Sequence, residues 1–163
     1  MGEYRYAHIC RNGHVLTSKA ASPSISAVKF CQTCGAPALT KCVHCQTAIR
    51  GEFSPDQFVI FNSNYPRPAY CHNCGLPYPW TESALEAMKE IIWEDEDLFD
   101  DEKERMSQSL PDLITETPKT ELAIMRVKKF ALRATKGVGS ALLSFVIEHG
   151  CEKAVTALGA LMP

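Results

Sequence analysis

Eight residues in the first half of the chain have the types and spacing of zinc ligands. They form four pairs whose members lie close together along the chain. Three pairs are Cys-x-x-Cys, a spacing at which two thiolates on one tight turn can reach the same tetrahedral ion. Because two pairs complete one four-coordinate site, we expect two zinc ions per chain. The candidate ligands are Cys10, His14, Cys31, Cys34, Cys42, Cys45, Cys71 and Cys74.

The four pairs can be combined into two sites in three ways. A sequential arrangement joins the first pair to the second and the third pair to the fourth. We favour it because locally closed loops cost less ordering entropy. A cross-brace would instead join the first pair to the third and the second to the fourth. A third arrangement closes the second pair on the third, across the short link from Gly35 to Lys41.

His14 is the least secure of the eight ligands. The Asn-Gly dipeptide before it predicts a tight turn that folds His14 back toward Cys10. His8, His44 and His72 are alternatives, although each is more typical of a surface or supporting histidine. Without a histidine the first site would have three donors and an open position, as in a catalytic zinc site.

The composition divides the 163 residues after position 80. Residues 1–80 contain seven of the eight cysteines and ten of the 14 aromatic residues, whereas residues 81–163 contain 16 of the 19 acidic residues. A loop-rich piece of this size buries little apolar surface and needs a metal or disulfides to hold it. We therefore predict an α+β protein with a β-rich double zinc ribbon in 1–80 and a helical module in 81–163.

Charge and aromatic content leave nucleic-acid binding as an alternative function. The net charge is −2, and residues 1–80 carry a formal +4 that zinc thiolates would largely cancel. Aromatic residues between the ligand pairs could stack on single-stranded bases, but scattered cations do not form the positive track such a groove needs. We favour a core role for them and expect a strand at Gln57–Phe61. They are Phe53, Phe58, Phe61, Tyr65, Tyr70, Tyr78 and Trp80.

The pattern becomes helical after residue 80, and we expect three or four helices. The acidic run Glu94–Asp97 is typical of a solvated turn. One helix is predicted from Asp101 to Leu110 and another from Thr117, where Thr-Pro is a helix start signal. A last helix carries apolar residues from Val138 to Leu158 at helical spacing. That apolar face predicts packing on the chain's own helices, self-association or a protein partner.

Cysteine use and the absence of an apolar run near Met1 predict a reduced, cytoplasmic protein. The apolar stretch from Val138 to Ile147 is too short for a bilayer, so we expect no transmembrane segment.

The ligand motifs resemble those of a bacterial double zinc-ribbon family of unknown function. The similar segments are Cys10-Arg-Asn-Gly-His14, Phe30-Cys-Gln-Thr-Cys-Gly-Ala36, Cys42-x-x-Cys45 with Ile49-Arg50-Gly51, Tyr70-Cys-His-Asn-Cys-Gly75 with Pro79-Trp80-Thr81, and Thr117-Pro-Lys-Thr120. The resemblance implies zinc binding and a bacterial cytoplasmic setting, and it implies no reaction.

From these patterns we expect a non-enzymatic zinc-binding interaction or adaptor protein, with no catalytic residues assigned. A nucleic-acid-binding accessory factor is the alternative, and a metal-dependent enzyme is the least favoured hypothesis.

Overall fold

The computed structural model describes residues 2–24, 28–55 and 64–161. The predicted α+β class is confirmed, because an antiparallel sheet of four strands comes first and helices follow. The chain forms two compact units, Met1–Glu82 and Ser83–Pro163. The strand predicted at Gln57–Phe61 lies outside the described residues.

Strand β1, Glu3–Cys10, lies at the centre of the sheet. It pairs along one edge with β2, Val15–Ala20. Along the other edge, its beginning pairs with β4, Arg50–Ser54, and its end pairs with β3, Ala38–Leu39. The last four residues of β1 are all buried, as expected for a strand with neighbours on both sides. The first candidate ligand, Cys10, therefore ends the best protected strand.

Gly51 in β4 is required by a close approach of the main chain. A Cβ built on Gly51 would overlap the carbonyl oxygen of Ser18 and would lie 2.7 Å from the carbonyl carbon of Tyr6. A larger residue would push β4, which follows the third ligand pair along the chain, away from β1.

Helix α4 is the central element of the helical unit, in contact with α2, α3, α5 and α6. Its buried residues recur at helical spacing, as in an amphipathic helix. None of the helices in the described ranges combines the length and apolar character of a membrane span. The helices are α1 (Pro79–Trp93), α2 (Asp100–Ser109), α3 (Pro111–Ile114), α4 (Thr120–Arg133), α5 (Lys136–His149) and α6 (Glu152–Gly159).

The helix boundaries differ from the prediction in two places. Helix α4 begins at Thr120, because the segment from Thr117 first forms a turn in which the Thr120 hydroxyl accepts the N–H of Thr117 at 2.8 Å. The predicted last helix is two helices. Gly150 is extended, and the next residue, Cys151, donates its N–H to the carbonyl of Leu113 at 2.8 Å. This break, together with the short α3, gives six helices in the described residues where three or four were expected.

The acidic run after α1 contains a buried carboxylate, although a solvated turn was predicted. Asp95 is 1% exposed and accepts the N–H and the hydroxyl of Thr135 at 2.8 and 2.9 Å. It also accepts the N–H of Asp97 at 2.9 Å. Burial alone would raise the pKa of Asp95, but these donors outweigh burial and hold the pKa below its ordinary value. Asp95 thus ties the turn to the start of α5.

Replacing Asp95 with Asn should destabilise the helical unit by about 2 kcal/mol at neutral pH, because hydrogen bonds to a charged acceptor are lost. Folding lowers the pKa of Asp95, so its contribution is fully present above the unfolded pKa of about 3.9. That contribution disappears as the pH falls through the lower pKa of the folded state. The stability difference between wild type and Asp95→Asn should therefore shrink below about pH 4.

Urea unfolding followed by far-ultraviolet circular dichroism at several pH values measures this difference. The matched control is Glu96→Gln, at the exposed neighbouring carboxylate, which should change the unfolding free energy by less than about 0.5 kcal/mol. An equal loss in both variants, or a difference independent of pH, would contradict the role given to Asp95.

Candidate metal centres

The structure brings the eight candidate ligands together in two clusters of four. Within each cluster, one donor atom from every residue lies within 4.8 Å of the others. This is the sequential grouping, and neither the cross-brace nor the third arrangement is adopted. The first cluster contains Cys10, His14, Cys31 and Cys34, and the second contains Cys42, Cys45, Cys71 and Cys74.

Donor distances in the first cluster match a tetrahedron around one zinc ion. Sulfurs at about 2.3 Å from zinc lie about 3.8 Å apart at tetrahedral corners, and a sulfur and an imidazole nitrogen lie about 3.6 Å apart. Cys10 Sγ lies 3.7 Å from Cys34 Sγ. His14 Nδ1 lies 3.4 Å from Cys10 Sγ, 3.3 Å from Cys34 Sγ and 3.7 Å from Cys31 Sγ. A histidine therefore supplies the fourth donor here.

The second cluster has the same dimensions with four sulfurs. Cys42 Sγ lies 3.8 Å from Cys74 Sγ, and Cys45 Sγ lies 3.7 Å from Cys71 Sγ. These separations are far longer than the S–S bond of a disulfide, about 2.05 Å. All eight cysteines, each within the described residues, are free of disulfide bonds. Two thiolate-rich clusters of this size fit zinc better than magnesium or calcium, which prefer oxygen donors.

The three Cys-x-x-Cys knuckles share one backbone conformation. In each, the residue after the second cysteine donates its N–H to the carbonyl of the first, at 2.7, 3.0 and 2.9 Å in chain order. A β-bridge then closes each knuckle, three residues beyond the second cysteine. The bridges are Phe30–Pro37, Lys41–Ala48 and Tyr70–Pro77. This recurrence means that local backbone geometry, set by short sequence motifs, aims both sulfurs of each pair.

Each knuckle also requires a positive φ at the residue after its second cysteine. Gly35 and Gly75 have φ of 71° and 73° there. Nothing lies within 4 Å of a Cβ built on either glycine, so conformation and not space favours glycine. In the middle knuckle Gln46 stands at this position with φ of 60°. A side chain at positive φ costs about 1–2 kcal/mol, so this knuckle holds local strain.

The family model that describes an uncharacterized protein conserved in bacteria (DUF2321) matches residues 3–158. The chain belongs to this family. The resemblance to a bacterial family of unknown function is thereby confirmed. No curated protein and no solved structure matches the chain.

Backbone N–H groups and side chains around the DUF2321 clusters determine the acidity of the thiols. Burial raises the pKa of Cys31, but the N–H groups of Thr33 and Cys34 outweigh it and bring the pKa to about 6. The hydroxyl and N–H of Thr47 lower the pKa of Cys45 to about 5. Thiolates that accept such hydrogen bonds are well prepared as metal ligands.

The same clusters also hold protons when no cation is bound. Burial raises the pKa of Cys10, against the opposing N–H of His14. The N–H of Leu76 lowers the pKa of Cys74, but burial and the three neighbouring thiols outweigh it and raise the pKa to about 11. Neighbouring thiolates repel one another, so the four cannot all ionise freely. A dication removes this repulsion, and its binding releases protons.

Two supporting donors to Cys45 were missed from the sequence. Thr47 follows Cys45 by two residues, and the Asn73 side chain lies inside the facing knuckle and also hydrogen bonds to the Cys45 sulfur. The sequence feature that could have identified both residues is their position next to ligands, since a polar residue beside a thiolate can donate to it. For Asn73 this feature was not sufficient, because the sequence does not show which knuckles face each other.

The Pro-Trp-Thr motif anchors the chain just before the last knuckle. The Trp80 indole N–H donates to the carbonyl of Pro68 at 2.9 Å, and the Thr81 hydroxyl donates to the carbonyl of Ala69 at 2.8 Å. Near the first cluster, Arg67 Nη1 donates to the carbonyl of Gly13 at 2.8 Å. The carbonyls of Pro68 and Ala69 thus accept hydrogen bonds from side chains that follow the last knuckle, and the side chain of Arg67 reaches the turn before His14.

The three alternative histidines lie outside both clusters. His8 is buried, and its Nε2 lies 3.1 Å from the carbonyl oxygen of Ser22. His44 and His72 are exposed within their knuckles. They are therefore supporting or surface histidines.

We expect purified, reduced protein to contain two zinc ions per chain. Cys42→Ser should lower the content to about one, because a structural zinc site needs its four donors. Cys151→Ser is the matched control and should keep both ions, since Cys151 belongs to neither cluster. Elemental analysis together with thiol titration measures the ratio. A wild-type content below about 1.5 zinc per chain in reduced protein would contradict the two-site prediction.

The strain at Gln46 should be removable. Gln46→Gly should stabilise the zinc-loaded protein by about 0.5–1 kcal/mol, because glycine adopts positive φ freely and offsets its own entropy cost. Gln46→Val should destabilise it, since a β-branched residue fits this conformation poorly. The control is Gln32→Gly, at an exposed knuckle position without positive φ. Thermal unfolding of the four proteins compares them, and a lower melting temperature for Gln46→Gly would contradict the assignment of strain.

Proposed function

We propose that this DUF2321 protein is a non-enzymatic binding protein whose two zinc ions are structural and whose helical unit carries the partner surface. The observation that supports the structural role is that each cluster offers four protein donors at tetrahedral spacing. Four protein donors complete the coordination of zinc, whereas catalytic zinc keeps one position for water or substrate. When bound, each zinc would supply charge neutralisation and cross-linking.

The packing of the first unit supports the same role for zinc. Among its described residues, the buried apolar cluster contains seven, and two of them, Cys42 and Cys71, are themselves candidate ligands. A fully buried aliphatic side chain contributes about 1.5–3 kcal/mol, whereas a structural zinc contributes on the order of 10 kcal/mol or more. On this scale, two zinc ions would contribute at least as much as the buried apolar residues that the structure describes in this unit.

Two of the described aromatic residues support a core role more than a nucleic-acid platform, whereas Phe53 is 48% exposed. Tyr78 and Trp80 stack on each other with ring centroids 4.6 Å apart, and they are 1% and 2% exposed. A ring that is buried cannot offer its face to a base.

The apolar residues of the helical unit support a protein partner, at a different place from the one the sequence indicated. The predicted face on the last helices is buried at Val138, Leu142, Phe145, Val146 and Leu158. The most exposed large apolar side chain in the described residues, Leu132, lies instead on α4.

We propose a reducing cytoplasm as the location for this function, because it would preserve the thiolate ligands.

Cobalt substitution tests whether the two zinc sites are closed. In Co(II)-loaded wild type, the visible absorption spectrum should be that of tetrahedral Co(II) at both sites. Azide should leave this spectrum unchanged, because no coordination position is free. Cys34→Ala is the matched positive control. It removes one exposed ligand, and its spectrum should respond to azide. A wild-type spectrum that shifts with azide would show an open site and would overturn the structural role.

A further inference from the structure

A groove of about 330 Å³ lies between α2 and α4 in the helical unit. Its floor consists of Leu98, Met106 and Phe130, which are at most 6% exposed. On its lip lies Leu132, which is 87% exposed, more than any other large apolar residue in the described part of the chain. The groove therefore joins a buried apolar floor to an apolar side chain that water surrounds.

The rim of the groove is positively charged. It carries Arg105, Arg126, Lys129 and Arg133 against the carboxylate of Glu102, and Arg105 also pairs with Asp101 at 2.9 Å. This surplus contrasts with the net charge of −2 for the whole chain. The contrast between the positive rim and residues 81–116 is larger still, since that segment has 13 acidic and three basic groups. An acidic partner would thus be repelled by much of this half of the chain and attracted at the groove.

The rim cations are partly ordered and partly available. Arg133 pairs with Glu102, so a carboxylate already fits at this rim. Arg126 Nη1 donates to the Ser109 hydroxyl at 2.7 Å, which orients its guanidinium. Lys129 has no ion-pair partner among the residues the structure describes, and its charge is free to meet an incoming group.

We infer that this groove binds an acidic amphipathic segment of a partner protein, which inserts apolar side chains over Phe130 and Leu132 and sets carboxylates on the basic rim. The inference rests on the binding function proposed above and names the chemistry of its partner. Grooves between helices receive amphipathic helices through apolar anchors spaced at three and four residues. Charge complementarity at the rim would set orientation and selectivity.

Other occupants fit the groove less well. The backbone of a single-stranded nucleic acid would satisfy the cations, but it has no aliphatic group to cover the floor. A second copy in a two-fold symmetric contact would face the same basic rim with its own, and like charges would repel.

The test uses a synthetic helical peptide of about 15 residues, with leucines at three- and four-residue spacing and glutamates beside them. Fluorescence anisotropy measures its binding to full-length, zinc-loaded protein. Binding should be saturable and should weaken as salt is raised. Lys129→Glu and Leu132→Gln should each weaken it about tenfold, since one reverses a rim charge and the other removes an exposed anchor.

Two control variants lie on the same helix and outside the groove. Lys128→Glu makes the same charge change at the neighbouring exposed lysine, and Leu122→Gln makes the same polar change at another exposed leucine. Each should alter peptide binding by less than about twofold. A peptide with the same charge but with alanine in place of leucine should bind at least about tenfold more weakly.

The inference is overturned by the absence of saturable binding up to about 1 mM peptide, a bound of about −4 kcal/mol. It is also overturned if the control variants lose as much affinity, or if the leucine-free peptide binds equally well. Single-stranded RNA or anionic vesicles that bind and lose affinity in Lys129→Glu, with no peptide binding, would assign the rim to phosphate. A dimer that dissociates in Leu132→Gln, again without peptide binding, would assign the groove to a second copy. None of these outcomes changes the azide response of the cobalt protein. The peptide test can therefore refute the groove proposal without affecting the proposal that both zinc sites are closed.

Discussion

Mutual repulsion among thiolates is the constraint on which the first unit depends. Each cluster gathers sulfur atoms at 3.7–3.8 Å, a separation at which charged sulfurs repel one another and a cation would stabilise them. The surrounding N–H and hydroxyl groups stabilise individual thiolates, yet Cys74 keeps a raised pKa. The fold therefore brings the donors to the spacing that a bound cation would require. A sheet with strands of two to eight residues offers little else to compensate.

The helical unit depends on a different balance. Helix α4 contacts four other helices through one face, while its opposite face remains apolar at several positions. An amphipathic helix at the centre of a small bundle would normally have a polar outer face. Here leucine and methionine alternate with cations on that face. Under the proposed structural role for zinc, the two units of this chain would derive order from different sources, the first from metal coordination and the second from packing.

The candidate ligands could be predicted because ligand spacing is a local property. The members of each Cys-x-x-Cys pair could be read directly from their spacing. The sequential grouping was only favoured, on loop entropy, over two other arrangements. Long-range effects were not visible. Asp95 belongs to a run that looks like a solvated turn, and its partner Thr135 lies 40 residues away. The break at Gly150 was hidden because Leu113, whose carbonyl accepts the N–H of Cys151, lies 38 residues earlier in the sequence. Apolar spacing alone could not show whether α4 or the last helices would leave a face exposed.

The common geometry of the three knuckles has a consequence for the surface of the molecule. At the first position between the two cysteines the chain places Gln32, Val43 and His72, and all three are exposed. An amide, an aliphatic group and an imidazole therefore stand on the same backbone scaffold, which does not depend on their chemistry. The first position between the two cysteines is thus exposed in all three knuckles and accepts different residue types. The side chain at this position can therefore vary in chemistry while the backbone that aims the two sulfurs keeps one conformation.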